Sequence, residues 1–350
     1  MSSKMKVAAI TETNKVELLE VKRPTPGKGE VLVDIKACAL CTWEQRTFAG
    51  VIKMPLPFIG GHEMSGVIAE VGEDVNKETY PIGQRVSVRT LYSCGECYYC
   101  RQGKENLCEN KGKPVVDQHK EIWGPGGLGE YLVVNVKDIY KLPNDLPFEY
   151  GAFTEPLACV VNSMEQGKVE LGSDVLIIGA GIMGLLHVMV CKLRGARVIL
   201  SEPDEGRRKL AEELGADVTF DPTKEDLEEK IKSLTQGRGA DVVFNTTPIA
   251  PVAEQAIKAV GKTGTVVMYS SIHPDKPIEV NPNWIHNSQT KITGSVSPTI
   301  KAFHTSSILL SKGLIVPDKL ITNKYPIEEA QKAFEEAVKP QSFRVIITQK

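Results

Sequence analysis

Four cysteines crowd into CGECYYCRQGKENLC, Cys94 to Cys108, in a chain of 350 residues that carries eight in all. The spacing is Cys94-x-x-Cys97-x-x-Cys100, then seven residues and Cys108. It lets one short lobe, about residues 90–112, wrap four thiolates tetrahedrally around a single zinc ion. Four thiolates leave no open position for a substrate, so such an ion is structural. An iron–sulfur cluster favours three residues and then Cys-Pro at the close of the pattern, whereas here Glu109 follows Cys108.

The run GAGIMG, Gly179 to Gly184, offers different chemistry. It follows the strand pattern VLII and opens a helical pattern, the context in which G-x-G-x-x-G binds a dinucleotide. Gly179 permits the tight turn, Gly181 admits a pyrophosphate to the backbone, and Gly184 allows close helix packing. The helix start at Ile182 and Met183 supplies amide donors for the phosphates. The next strand ends at Glu202, 18 residues beyond Gly184. A carboxylate there accepts hydrogen bonds from both ribose hydroxyls and repels a 2′-phosphate, which favours NAD over NADP; otherwise it is a solvated carboxylate at a strand end. Arg207 can lie along the adenine, or join Arg208 and Lys209 on a solvated helix face.

The elements that must position these groups change in texture along the chain. Up to about residue 157, runs such as EVLVDIKACAL, MSGVIAEVG and QRVSVRT are short, β-branched and separated by Pro, Gly and Asn, which suggests a barrel-like β domain. From Val175, compact apolar strands (DVLIIGA, ARVILSE, ADVTF, ADVVFNT, GTVVMYS) take over. Between the first three lie the helical patterns IMGLLHVMVCKLRG and DEGRRKLAEELG, and this alternation predicts a parallel sheet covered by helices. After about Ile292 the pattern is mixed and rejoins the first domain. The expected organisation is 1–157 with 292–350, and 158–291.

Lys and Arg number 42 against 44 Asp and Glu, so no charge footprint argues for nucleic acid or an anionic membrane surface, and a small-molecule partner is expected. The apolar run Val175 to Cys191 is too short and too rich in glycine to span a bilayer. MSSKMKVAAI lacks the apolar segment and cleavage site of a secretion signal. A cytoplasmic location is therefore expected, where thiols stay reduced and clustered cysteines read as metal ligands.

The cysteine lobe stands with GGHEMSGVIAEVG (Gly60 to Gly72), TEPLACVVNS (Thr154 to Ser163), VLIIGAGIMG and the tail ITGSVSP. Together they resemble, over essentially the whole chain, the zinc-containing medium-chain dehydrogenases of the alcohol dehydrogenase superfamily; EPLA resembles their polyol, sorbitol and threonine dehydrogenase branch. The resemblance implies an α/β protein, with a Rossmann doubly wound parallel-sheet domain and a GroES-like β-rich catalytic domain bearing the structural-zinc lobe. It implies NAD(H) and two zinc ions per subunit, one structural and one catalytic, serving an oxidoreductase that interconverts a polar secondary alcohol (polyol, sugar alcohol or anionic hydroxy compound) and its ketone. The implied catalytic ligands are Cys41, His62 and Glu155, with Glu63 nearby and able to exchange on or off the metal. Thiolate, imidazole and carboxylate can hold zinc with one place left for substrate or water. Thr246, Ser270 and Ser295 are implied as contacts of the nicotinamide, and Cys159 as a packing residue facing it. A homodimer or homotetramer joined through the edges of the cofactor-domain sheets is also implied.

Departures from the family pattern bear on substrate. After the first ligand the family reads Cys-Gly-Thr/Ser-Asp, often with histidine five positions beyond that cysteine; here the run is CTWEQR. Trp43 replaces the hydroxyl residue that begins the usual proton relay, Glu44 the aspartate, and Arg46 the histidine. Thr42, Glu44, Glu63 or a water chain are left to carry the proton. Trp43 can wall the substrate pocket. Arg46, with Arg89, can pair with a carboxylate, phosphate or sulfonate, or lie as a surface arginine. Two other functions fit the fold. One is a lyase or isomerase using NAD in a redox-neutral cycle. The other is a non-catalytic redox sensor, whose sign would be a broken Cys41, His62 and Glu155 set.

Overall fold

The structure is a computed structural model and describes residues 4–110 and 123–349. The end of the expected cysteine lobe, 111–112, lies outside the described residues. The chain forms two compact units, Met1–Ala158 with Thr299–Lys350, and Cys159–Pro298.

The first unit is built on the strand Glu30–Ala39, whose apolar residues Val31, Leu32, Val33, Ile35, Ala37, Cys38 and Ala39 are all fully buried. A strand with buried residues on both faces belongs at the centre of a sheet. It pairs antiparallel with Glu63–Val71 on one side; on the other, its first half meets Tyr131–Asn135 and its last three residues meet Arg344–Thr348. The sheet runs Ile321–Pro326, Arg344–Thr348, Glu30–Ala39, Glu63–Val71, Arg85–Val88, Ile139–Lys141. The closing strand thus joins the first domain's core, where Val33, Ile35, Ile68, Phe58, Phe334 and Ile347 pack together.

The second unit holds six parallel strands in the order Val218–Phe220, Arg197–Ser201, Asp174–Ile178, Ala240–Asn245, Val260–Met268, Lys291–Gly294. Strand order reverses between Asp174–Ile178 and Ala240–Asn245, and such reversal points are where this class of sheet binds its ligand. Lys291–Gly294 is hydrogen-bonded to Val260–Met268 as the last strand, so the chain returns to the first unit at Thr299 rather than at 292. The apolar run from Val175 divides into the strand Asp174–Ile178 and the twelve-residue helix Ile182–Leu193. Among the described residues no helix is long and apolar enough to cross a membrane. His187, the polar break in that run, is fully buried. Its Nδ1 meets the Met183 carbonyl at 2.7 Å, its Nε2 meets Ser163 Oγ at 2.9 Å, and its ring packs on Phe244 and Tyr269. Burial lowers its pKa to about 4, so it is a neutral packing histidine.

Candidate active site and nucleotide-binding turn

Strand register assembles the first cluster. Antiparallel pairing sets Ala39 opposite Glu63, so Cys41 and His62 lie just past the ends of two neighbouring strands. Ile346 pairs with Ala39 on the other flank and the Leu40 amide donates to the Val345 carbonyl at 2.9 Å, which brings Arg344 level with Cys41. The donor atoms of Cys41, His62 and Glu63 all lie within 4.8 Å of one another. Cys41 caps the helix Thr42–Phe48, while Cys38 is a packed residue inside its strand.

Glu44, fully buried on that helix, holds the histidine. Its Oε1 accepts from His62 Nδ1 at 2.7 Å and from the Gly61 amide at 2.9 Å, while Oε2 is buried with no partner. With its proton on Nδ1, His62 presents the Nε2 lone pair, the form a metal takes. The glycine pair ahead of His62 makes this possible: a Cβ on Gly60 would stand 2.6 Å from Glu44 Cγ. Gly61 adopts φ +92° against the Leu128 backbone. Burial by itself would raise the Glu44 pKa, but the His62 charge and the Gly61 amide hold it below the ordinary carboxylate value. Burial pushes the Cys41 thiol up. Burial also opposes a charge on His62, yet Glu44 and Cys41 outweigh it and raise the imidazole well above its usual value. A metal ion arriving here displaces protons. Glu44, fully buried, therefore orients His62.

Glu63 is equally committed. Its two oxygens accept from Arg344 Nε at 2.8 Å and Nη2 at 2.6 Å, and both side chains are buried. Each oxygen keeps a second lone pair, so a metal reaching Glu63 would share its carboxylate with Arg344. Arg344 was not foreseen; its one signal in the sequence was a lone basic residue opening the apolar run RVIIT. Glu155, half-buried, is the second residue of the helix Thr154–Gly167, whose start is fixed by hydrogen bonds from Thr154 Oγ1 to the Gly151 carbonyl and from Ser306 Oγ to the Thr154 carbonyl. It acts electrostatically on Arg344 but is not part of the compact trio.

Thr42 is exposed. Trp43 stands edge-on to Phe58 and to His62, with ring centroids 5.3 and 5.7 Å away, so an aromatic wall replaces a relay hydroxyl beside the cluster. Arg46 is half-buried on the same helix. Arg89 is enclosed in the unit: it is 3% exposed, and its Nη1 and Nη2 meet the Leu91 carbonyl, Asp138 Oδ1 and Ser93 Oγ, while its Nε is buried without a partner among the described residues.

In the cysteine lobe, sulfur–sulfur separations are 3.6 Å (Cys94–Cys108), 4.0 Å (Cys94–Cys100) and 4.0 Å (Cys97–Cys108). A tetrahedron with zinc–sulfur bonds of about 2.3 Å has edges of about 3.8 Å, so the four thiols are spaced for zinc. Backbone amides of Cys94, Cys97 and Asn110 point at these sulfurs. Hydrogen bonding, foremost from Asn110, brings the Cys94 thiol down to about 6, while burial takes Cys100 up to about 12.

The glycine turn lies at the sheet's reversal point. Gly179 has φ +98° and its Cβ would strike Thr246 and Thr247; a Cβ on Gly184 would lie 1.9 Å from the Gly179 carbonyl oxygen. At Gly181, which caps Ile182–Leu193, a Cβ would meet no protein atom within 4 Å, so the space over the turn is open to a ligand. Glu202 is buried beside it, with Oε2 accepting from the Ala180 amide at 2.7 Å and Oε1 from the Asp204 amide at 3.0 Å. Each oxygen keeps a lone pair for a ribose hydroxyl. Arg207 is half-buried, whereas Arg208 is tied to the carbonyls of Glu202 and Pro203. Thr246 Oγ1 donates to the Ile178 carbonyl at 2.8 Å, Ser270 Oγ to the Thr246 carbonyl at 2.8 Å, and the Ser295 amide to the Met268 carbonyl at 3.3 Å. All three sit at the carboxyl ends of strands, where a dinucleotide lies in this fold.

Two family models match, the alcohol dehydrogenase GroES-like domain over residues 27–144 and the zinc-binding dehydrogenase over 183–312. The chain is 36% identical over 345 residues to L-threonine 3-dehydrogenase of Pyrococcus furiosus, covering 96% of each. The chain belongs to the zinc-binding dehydrogenases. The dehydrogenase is also 32% identical over 339 residues to D-arabitol-phosphate dehydrogenase of Enterococcus avium, covering 95% of this chain and 94% of that one. Two solved structures share its fold at 29% identity, each covering 99% of this chain and 100% of the other. One is a zinc-binding dehydrogenase from Sinorhizobium meliloti bound to NADP (TM-score 0.90), the other an alcohol dehydrogenase from E. coli complexed with NADH (TM-score 0.89). This zinc-binding dehydrogenase is thus a nicotinamide-linked oxidoreductase of the alcohol and polyol type, with a cysteine cluster built for a structural zinc.

Proposed function

We propose that this dehydrogenase oxidises a polar secondary alcohol, a polyol, sugar alcohol or hydroxy acid, with NAD in preference to NADP, and reduces the ketone in reverse. The observation that carries the reading is the cluster of Cys41, His62 and Glu63 with His62 Nδ1 locked onto Glu44. Cys41 and His62 would hold the catalytic zinc. Glu155, at the start of the helix Thr154–Gly167, would complete the set, with Glu63 held beside it by Arg344 and able to exchange onto the metal. When bound, zinc polarises the alcohol or carbonyl oxygen and the nicotinamide accepts or returns hydride. Glu44 fixes the His62 tautomer, Arg344 offsets the Glu63 charge, and Trp43 screens the imidazole from water. Gly179, Gly181, Gly184 and the amides of Ile182 and Met183 would seat the pyrophosphate, and Glu202 the adenosine ribose. Relatives named for threonine and for arabitol phosphate support a hydroxyl flanked by polar groups. The reading extends to a cytoplasmic homodimer or homotetramer.

The test is NADH release from zinc-loaded enzyme across polyols, sugars, sugar phosphates and hydroxy acids, with and without a chelator. Turnover of at least one alcohol, abolished by the chelator and restored by zinc, is expected. Turnover with no net NADH would mean a redox-neutral reaction, and turnover indifferent to metal removal would overturn the ligand assignment.

A further inference from the structure

The helix Thr42–Phe48 carries two faces. Glu44, Thr47 and Phe48 are buried, Trp43 is half-buried with its ring packed on the core at Phe58, Arg46 is half-buried, and Thr42 is exposed. Trp43 already borders the metal-ligating cluster, its ring 5.7 Å from that of His62. Arg46 stands three positions beyond Trp43 and four beyond Thr42, so it is their neighbour on the helix surface. Side chains on a helix lean toward its amino end, which for Arg46 is the direction of Thr42 and Cys41. Along the axis the two residues are about 7.5 Å apart, at 1.5 Å per residue.

Other half-buried or buried arginines of this unit are engaged. Arg23 pairs with Glu70, Arg85 with the Leu146 carbonyl, Arg89 with Asp138 and Arg344 with Glu63. Arg46 has neither an ion pair nor a side-chain hydrogen bond among the described residues. A guanidinium presents a planar fork of donors matched to carboxylate or phosphate oxygens, and a half-buried one gains from an anion that fills it.

Resting on the dehydrogenase reading above, we propose that the substrate is an anionic hydroxy compound: Arg46 receives its carboxylate or phosphate ester, while Trp43 walls the carbon chain that runs from that anion to the reacting carbinol. Arg46 is thus a specificity-determining residue placed by the same short helix that carries a metal ligand at its cap.

The experiment measures kcat/KM of the zinc-loaded enzyme on matched sets sharing one carbon skeleton: sorbitol, sorbitol 6-phosphate and gluconate, then arabitol, arabitol 5-phosphate and arabinonate. The expected result is a preference of tenfold or more for an anionic member, with the phosphate and carboxylate arms showing which is taken. Arg46→Ala should remove that preference by lowering kcat/KM for the anionic member at least tenfold more than for the neutral alcohol, Arg46→Lys should restore part of it, and the preference should shrink as salt rises. Equal turnover of neutral and anionic members by the wild type would overturn the inference while the dehydrogenase reading stands. So would an Arg46→Ala defect confined to the KM for NAD, which would assign the guanidinium to the cofactor. Absence of NADH from every neutral and anionic member would overturn both.

Discussion

Replacing Gly60 by alanine is a sharp probe of how His62, the histidine proposed to ligate the metal, is held. The new Cβ would lie 2.6 Å from Glu44 Cγ, against an optimal carbon separation of about 3.5–4.0 Å, so Glu44 must retreat by about 1 Å. Overpacking of this kind costs about 1–3 kcal/mol. The same retreat stretches the 2.7 Å bond from His62 Nδ1 out of hydrogen-bond range, and losing such a partner lowers metal affinity by about 10–100-fold. Glu44→Ala should cause the same loss of zinc affinity, since it strands the Nδ1 proton and the Gly61 amide. In that background Gly60→Ala meets no Cγ, so its own cost should vanish and the pair should couple by about 1–3 kcal/mol. Urea unfolding of the metal-free variants measures the packing cost, and competition with a zinc-binding dye measures the affinity. An equal cost of Gly60→Ala in both backgrounds would refute the reasoning.

Further outcomes follow from the same geometry. Gly181→Ala should leave thermal stability unchanged yet abolish NADH binding by fluorescence titration, because its Cβ meets only space meant for the ligand, whereas Gly184→Ala should lose both. His187, with a pKa lowered to about 4 by burial, favours the folded state only while neutral. Stability should therefore fall as pH drops from about 6.5 toward 4, by about 2.5 kcal/mol between pH 7 and 4.5, and urea midpoints of His187→Gln should lose that slope. Arg344→Met should cost about 3–5 kcal/mol by stranding the buried Glu63 charge, and adding Glu63→Leu should recover most of it; an additive double variant would contradict the pairing.

Much of this protein was legible in one dimension. The cysteine spacing, the glycine turn with Glu202 beyond it, and the change from β-branched runs to alternating strands and helices are local patterns. Each names its structure because chemistry or backbone geometry demands those residue types at those intervals. Cys41, His62 and Glu155 became candidates only through the family resemblance, since a lone cysteine, histidine and glutamate spread over more than a hundred positions have no local signature. Arg89 illustrates the opposite failure. As a residue type it suits an anion, and only its burial against Asp138 removes it.

The sequence by itself determined the two-unit α/β organisation, the metal lobe and the nucleotide turn, because periodicity and short-range spacing encode them. The tertiary structure decided which groups act on one another: strand register set Arg344 beside Cys41 and against Glu63, a buried helix face turned Glu44 onto His62, and the same helix left Arg46 without a side-chain partner among the described residues. Burial and pairing depend on residues far apart in the chain, and it is they that fix a side chain's charge and freedom.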